Sequence, residues 1–373
     1  MRILVTGANG QVGHELLRAL ANPAREPDPH PALTRHPLPE GEGNSLNPSP
    51  TGRGGARANA RAARGVRVRD REIIPATRSG MLDGGIRCES VDLADFGALT
   101  KTLDRIAPNV IINAAAYTAV DRAEDEAELA QRINGEALRV LGAWAAQHAA
   151  RVIHYSTDYV FDGRANRAYR EDDATHPVSA YGRSKLAGEI ALRESGACHL
   201  IFRTAWVYAA RGHNFLRTML RVGAERDALR VVDDQIGAPT PARLIAEVTA
   251  RAIAQWSTPP STGRGGATAN ARAAPMRSIG GMPTLDGTYH LVASGQTSWC
   301  GFARAIFERA QRTGLIERAP VVHAIGTADY PTKATRPAFS VLDTTKLRDA
   351  FGIDLPDWQA ALDGVIGELA LGQ

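Results

Sequence analysis

Cysteine is scarce in this chain. Cys88, Cys198 and Cys300 are the only three among 373 residues. They are odd in number, widely spaced and form no C-x-x-C, which argues against a disulfide framework or a zinc site and fits a reducing cytoplasm. Each reads as a small buried hydrophobe. No apolar run is long enough to span a bilayer. The opening Met1-Arg2-Ile3-Leu4-Val5-Thr6-Gly7 breaks into a glycine turn too early for a signal peptide. These features lead to the expectation of a cytoplasmic protein without a membrane partner.

A true basic surplus is also missing. The formal net charge is +4, but residues 22–71 carry nine Arg against five acids, and residues 257–283 carry three Arg and no acid. Without those seven charges the remainder stands at −3, so no nucleic-acid face is expected. The same two segments hold 12 of the 21 prolines and share a repeat. Thr51 to Ala63 reads TGRGGARANARAA and Thr262 to Ala274 reads TGRGGATANARAA, matching at twelve of thirteen positions. Two copies do not make a solenoid. Their composition cannot bury enough apolar surface to offset ordering entropy, so both segments are expected to be flexible surface insertions. The remaining 296 residues suit one α/β nucleotide-binding domain with a smaller substrate-binding lobe.

The rest of the chain alternates strand and helix patterns. Strands are expected at Arg2–Thr6, Glu72–Thr77, Val110–Ala114, Arg151–Ser156 and His199–Thr204. Helices are expected at Gln11–Ala21, Phe96–Ile106, Glu126–His148 and Tyr181–Glu194. In the long helix Leu129, Ile133, Ala137, Leu141 and Trp144 mark the apolar face. Repeated βα units with continuously apolar strands imply an α/β Rossmann-type fold, a doubly wound parallel sheet covered on both faces. Residues 1–204 are expected to form the dinucleotide-binding domain. Residues 205–373 would form mainly the substrate lobe, with some segments returning to the first domain.

The loop Gly7-Ala8-Asn9-Gly10-Gln11-Val12-Gly13 is a G-x-x-G-x-x-G run after a strand and at the start of a helix. Its glycines permit a tight turn and close backbone approach to a pyrophosphate, which the helix N-terminus attracts. The second strand ends in Ala76-Thr77-Arg78-Ser79, without the acid that would hold a ribose 2′-hydroxyl. Arg78 suits a 2′-phosphate instead, favouring NADPH and leaving NADH open. Asp92-Leu93 follows the next strand, where a carboxylate could accept from an adenine amino group.

Tyr181 and Lys185 form Y-x-x-x-K on one helix face, and Thr157 ends a strand upstream. An ammonium beside a phenol favours the phenolate and brings a tyrosine toward the working pH range. Thr157 could hold a carbonyl oxygen while Tyr181 supplies its proton and a nicotinamide supplies hydride.

At this point the residues resemble a known family, the extended short-chain dehydrogenase/reductases, and within it the dTDP-4-dehydrorhamnose reductases. The matching stretches are Asn113-Ala114-Ala115-Ala116-Tyr117-Thr118-Ala119-Val120-Asp121, Tyr155-Ser156-Thr157-Asp158-Tyr159-Val160-Phe161-Asp162-Gly163, Tyr181 to Glu189, Arg203 to Tyr208 and Arg336 to Ser340. The resemblance implies reduction of the 4-keto group of a dTDP-sugar in dTDP-rhamnose synthesis, with Thr157, Tyr181 and Lys185 catalytic. It places Asp158, Tyr159 and Trp206 on the sugar nucleotide, Arg336 near its diphosphate, and Ala114, Ala115, Ala116 and Tyr117 beside the nicotinamide ribose. Asn214 and the loop Gln235 to Thr240 resemble stretches near the substrate. Some members of the family carry magnesium, but no metal ligand is assigned in this chain. A homodimer stays open. Two alternatives also stay open: a nucleotide-sugar epimerase or dehydratase, and a non-catalytic regulatory subunit of the methionine adenosyltransferase type. A dehydratase would be expected to place an acid pair after the threonine, whereas Thr157 is followed by Asp158 and then Tyr159.

Overall fold

The computed structural model describes residues 1–21, 66–68, 71–257, 278–279, 282–283 and 285–372. Both copies of the thirteen-residue repeat lie outside the described residues, as does most of each segment expected to be an insertion. The ends of those segments need correction. Val66–Val68 (β2) pairs antiparallel with Arg71–Thr77 (β3), and Ser278–Ile279 pairs antiparallel with Met282–Pro283. Two valines flanking an arginine are enough to extend a sheet edge, a signal that the surrounding Pro/Gly/Arg composition hid.

The principal sheet has eight strands. Arg2–Thr6 (β1) lies at its centre between β3 and Val110–Asn113 (β5), parallel to both. Beyond β5 follow Arg151–Thr157 (β6), Cys198–Thr204 (β7) and finally Gly287–His290, all parallel. On the other side β3 pairs with β2 at its start and with Glu89–Ser90 (β4) at its end. The chain therefore builds outward from β1 in one direction and returns to build in the other. The carboxyl ends of β1 and β5 flank the resulting crevice, where this fold binds its ligands.

Strand alternation explains why the sheet is buried on both sides. Ile3, Val5, Ile112, Ile153, Leu200 and Phe202 face one layer, formed by helices Gln11–Ala21 (α1), Ala242–Ser257 (α7) and Thr345–Phe351 (α9). Leu4, Ile111, Val152 and Ile201 face the other, formed by Phe96–Ile106 (α2), Ala137–Gln147 (α4) and Ala180–Glu194 (α5). Asp95 caps α2 by accepting from Ala98 N at 2.9 Å, and Ala107 ends the helix at φ +47° just before Pro108. Among the described residues no helix is long and apolar enough to cross a membrane.

The expected helix over Glu126–His148 is helical from Ala127 to Gln147 but is not a regular α-helix throughout. Ala127–Gln131 (α3) passes into a π-turn at Arg132–Glu136 before α4 begins. The wider turn rotates the inward face, leaving Leu129 40% exposed and burying Ala130, Asn134 and Gly135 instead. Close packing decides this. A Cβ on Gly188 of α5 would stand 2.1 Å from Asn134 O, so the two backbones touch where ordinary side chains would hold them apart.

Residues after Thr204 add a second apolar cluster. Leu216 of Phe215–Glu225 (α6), Phe302 and Ile306 of Trp299–Arg312 (α8), and Trp358, Leu362 and Ile366 of Trp358–Leu371 (α10) pack with Tyr208. The strands here are short, such as Ile236–Gly237 against Thr297–Ser298. Ala228–Val232 pairs in parallel with Val321–Ile325.

Candidate active site

The glycine loop has the geometry that a dinucleotide requires. Gly7 sits at φ +68°, and a Cβ there would lie 2.7 Å from Ala114 O. A Cβ on Gly13 would lie 2.1 Å from Gly7 O, so α1 could not pack down on the turn. Gly10 N donates to Gly7 O at 2.8 Å and closes the turn. The first turn of α1 holds no acid, which leaves its N-terminal dipole free for a phosphate. Asn9 braces the loop by donating to Met81 O at 3.0 Å and accepting from Asp83 N at 3.2 Å. Arg211 pairs with Asp83 across the same mouth. These features fit a nicotinamide dinucleotide.

The other expected cofactor residues lie around that loop. Ala114 and Ala115 run on from β5 directly against Gly7, and Ala116 follows them. Arg78 is exposed just past β3. Asp92 is half-buried and uses one oxygen to accept from Ala94 N at 2.9 Å, while Leu93 is a core residue. The Tyr117 hydroxyl donates to Glu126 at 2.7 Å. Asn134, inside the π-turn, accepts from Tyr117 N at 2.9 Å and donates to Tyr117 O at 3.0 Å, so it fixes the backbone of this stretch. Sequence reasoning missed Asn134, because an asparagine in a helical run gives no sign of facing inward.

Ser179 caps α5 by accepting from Gly182 N at 3.1 Å, which sets Tyr181 in the first turn and Lys185 one turn later. Thr157, at the end of β6, accepts from Tyr159 N at 3.2 Å and donates to Asp158 Oδ1 at 3.0 Å. The Thr157 hydroxyl also reaches Tyr181, and the ring of Tyr159 meets that of Tyr181 edge-on at 5.7 Å. Thr157, Tyr181 and Lys185 thus converge from β6 and α5.

The charge states differ from the sequence expectation. Burial pushes Tyr181 up to about 12, reinforced by Asp158 and opposed by Thr157. Burial takes Lys185 itself down to about 7 against the opposing pull of Glu189. A buried ammonium loses its hydration, and one carboxylate already neutralised by Arg203 does not restore it. Tyr181 therefore rests protonated, as a proton donor requires. Asp158 rises to about 6 through burial, against hydrogen bonds from Ser340 and Thr157.

Lys185 Nζ donates to Tyr155 O at 2.6 Å and stands 3.1 Å from His154 Nε2. His154 Nδ1 in turn meets Asn113 Nδ2 at 3.2 Å, and Thr6 Oγ1 donates to Asn113 Oδ1 at 2.6 Å. All four side chains are buried. A histidine within an otherwise apolar strand was the available signal for this chain of contacts.

The other wall comes from distant segments. Gly163, at φ +78°, lies so close to Pro337 that a Cβ would meet Pro337 Cα at 2.6 Å. Ile236 N donates to Ala338 O, and Ser340 N donates to Ile236 O, both at 2.8 Å, tying the 235–240 loop to the 336–340 stretch. Trp206 adopts φ +47° and stacks on Trp299 at 3.6 Å, leaving space beside it for no side chain larger than that of Gly237. A bulky residue in that backbone region marks strain held by its surroundings. Arg336 forks onto Asp121, with Nη2 2.8 Å from Oδ2, and Tyr159 contributes to its electrostatic surroundings. Asn214 caps α6, and its amide also donates to Gln11 Oε1 at 2.9 Å, joining it to the cofactor loop rather than to Trp206. Trp299 and Asp121 were not legible as site residues, because their partners are remote in sequence.

Comparison with known proteins agrees with this arrangement. The RmlD substrate binding domain family matches residues 51–371. A dTDP-4-dehydrorhamnose reductase of Escherichia coli K12 is 44% identical over 278 residues, spanning 74% of this chain and 85% of that protein. One from Burkholderia thailandensis is 39% identical over 373 residues, 99% of both chains. The crystal structure of dTDP-4-dehydrorhamnose reductase from Bacillus anthracis in complex with NADP superposes with a TM-score of 0.70 at 27% identity, covering 98% of this chain and 99% of that one. The chain belongs to the dTDP-4-dehydrorhamnose reductase family.

Proposed function

We propose that this protein reduces the 4-keto group of dTDP-4-dehydro-β-L-rhamnose to dTDP-L-rhamnose with NADPH, NADH serving less well, as the last step of dTDP-rhamnose synthesis. The observation that carries the chemistry is the convergence of Thr157, a protonated Tyr181 and Lys185 beside a glycine loop open at a helix N-terminus. A bound nicotinamide would supply hydride to the carbonyl carbon. Thr157 holds the carbonyl oxygen, and Tyr181 gives that oxygen its proton. Lys185 orients the cofactor ribose and Tyr181. Gly7, Gly10 and Gly13 admit the pyrophosphate, with Asn9, Gln11 and Val12 shaping the turn. Ala114, Ala115, Ala116 and Tyr117 flank the nicotinamide ribose. Arg78 takes the 2′-phosphate, and Asp92 and Leu93 border the adenine.

Segments after Thr204 act mainly as the substrate lobe. Trp206, Asp158 and Tyr159 enclose the sugar nucleotide, and Asn214 links that lobe to the cofactor loop. Arg336, held in place by Asp121, offers its remaining N–H donors to the diphosphate, since its planar guanidinium suits phosphate oxygens. The test is loss of reduced-nicotinamide absorbance with enzymatically made dTDP-4-dehydro-rhamnose, using NADPH and NADH in parallel. Consumption with both, faster with NADPH, is expected. A folded, cofactor-binding protein that consumes neither would sink the reading.

A further inference from the structure

Residues 327–338 form a surface loop with both feet on one segment. At the first foot, Thr327 Oγ1 donates to Asp234 at 2.6 Å and Gln235 Nε2 donates to Thr327 Oγ1 at 3.0 Å. At the second, Ile236 N donates to Ala338 O at 2.8 Å. The loop is also clasped to the 121–125 turn. There Lys333 Nζ donates to Asp125 at 2.6 Å and Ala334 N donates to Asp121 at 3.0 Å. Closed loops of this kind are compact and frequently functional. The stretch 327–331 lies exposed between the anchors. Within it Tyr330 is 59% exposed, and among the described residues its side chain has no hydrogen-bond or ring partner. Its backbone is nevertheless held. Tyr330 N donates to Thr327 O at 3.1 Å, and Pro331 keeps the residue before it out of the helical region.

A single exposed aromatic is ordinary on a protein surface. What sets Tyr330 apart is the series it completes. The ring of Tyr159 meets that of Tyr181 at 5.7 Å, and both Tyr159 and Tyr330 lie near enough to Arg336 to act on its guanidinium. Tyr181, Tyr159 and Arg336 are half-buried, so the series runs outward from the proton donor to Tyr330. A nucleotide sugar has its parts in the same order: keto sugar, diphosphate, deoxyribose, base. We infer that Tyr330 is a substrate-binding residue whose ring stacks on the pyrimidine base of the nucleotide sugar. The inference rests on the reductase reading above, which puts the keto sugar at Tyr181 and the diphosphate at Arg336. A base leaving the diphosphate toward solvent meets the 327–331 stretch, where Tyr330 is the one aromatic side chain. Tyrosine suits this place. It offers a large flat face with two side-chain torsions to fix, and the anchored backbone has already met the ordering cost of the loop. Stacking accepts the π-face of any base, so Tyr330 supplies affinity rather than a choice of thymine.

The experiment is calorimetric titration of the full chain with dTDP, for the wild type, Tyr330→Leu and Tyr330→Phe. Tyr330→Leu should weaken binding about tenfold, the range expected for losing one base–aromatic stack. Tyr330→Phe keeps the face and should match the wild type. Equal loss in both variants would overturn the inference, because the contact would then be the hydroxyl. Unchanged affinity in Tyr330→Leu would overturn it as well. Proton NMR of the thymine methyl group gives a second readout. Binding to the wild type and to Tyr330→Phe should move that signal upfield through the ring current, and binding to Tyr330→Leu should not. A shift that survives in Tyr330→Leu would assign the stack to another ring and overturn the role. The side chain is exposed, so the variants should keep the wild-type melting temperature. Neither readout needs turnover. A wild type that binds dTDP without help from Tyr330 sinks this inference alone, whereas a folded wild type that binds no dTDP sinks the reductase reading with it.

Discussion

The cofactor side and the substrate side of this site are built in different ways. On the cofactor side, one stretch of seven residues makes the turn, and the strands that frame it are longer apolar runs. On the substrate side, the wall is joined from residues near 121, 160, 206, 237, 299 and 336, often through short strands and single backbone contacts. The first depends on local steric rules and survives as a pattern. The second depends on which loops the fold happens to bring together. Tyr181 and Lys185 stand at the seam, on a helix whose N-cap and glycines fix it against both.

The sharpest break comes at that seam. Tyr181→Phe should lower kcat by about a thousandfold, the range expected for losing a general acid. The dissociation constant for NADPH, read by nicotinamide fluorescence, should hardly change. Equal loss of cofactor binding would mean that Tyr181 supports the cofactor side instead.

Stability should fail first where the two sides share a buried ion pair. Arg203 of β7 grips Glu189 of α5 through two bonds of 2.9 and 2.7 Å, at 2% and 0% exposure. Glu189→Ala should cost about 3 kcal/mol in a urea titration, because it strands a buried guanidinium. A cost within a few tenths of a kcal/mol would show that Arg203 finds another partner.

Acid should act on the same layer. Burial holds His290 down at about 3 and His154 far below its usual range. Below the ordinary histidine value of about 6.5, the unfolded chain binds a proton at each site that the folded chain refuses. Stability is therefore complete above that value and is lost as pH falls. Each histidine should remove about 1 kcal/mol between pH 6.5 and 5.5. His290→Gln should reduce that slope in denaturant titrations, and an unchanged slope would contradict the assignment.

The smallest effect separates the two sides most cleanly. Asp121→Asn should loosen Arg336, which then pays a larger ordering cost on meeting the diphosphate. KM for the sugar nucleotide should rise about threefold, within the range expected for immobilising one long side chain. The NADPH dissociation constant should stay fixed. A matching change in cofactor affinity would join the two walls into one unit.

The legible and illegible parts of the molecule divide along the same line. Helices Gln11–Ala21 and Phe96–Ile106 were readable to the residue, since capping and periodicity are local signals. So were the glycines of the first turn. The break at Arg132–Glu136 was not, because the π-turn answers to the contact between Gly188 and Asn134 O rather than to anything in its own composition. Val66–Val68 was hidden by its surroundings. Lys185 was recognisable as a partner of Tyr181, but its low proton affinity was not, since spacing on a helix says nothing of how dry the face is.

The sequence by itself determined the central strands of the sheet, the glycine turn at the start of α1 and the residue types proposed to carry the chemistry. These follow from alternation, backbone sterics and helix spacing, which act over a few residues. Only the tertiary structure decided the lowered proton affinity of Lys185, the clasp between Asp121 and Arg336, the strained stack of Trp206 on Trp299 and the polar row beneath α5. Each depends on desolvation or contact between groups that the chain keeps far apart until the strands fall into register.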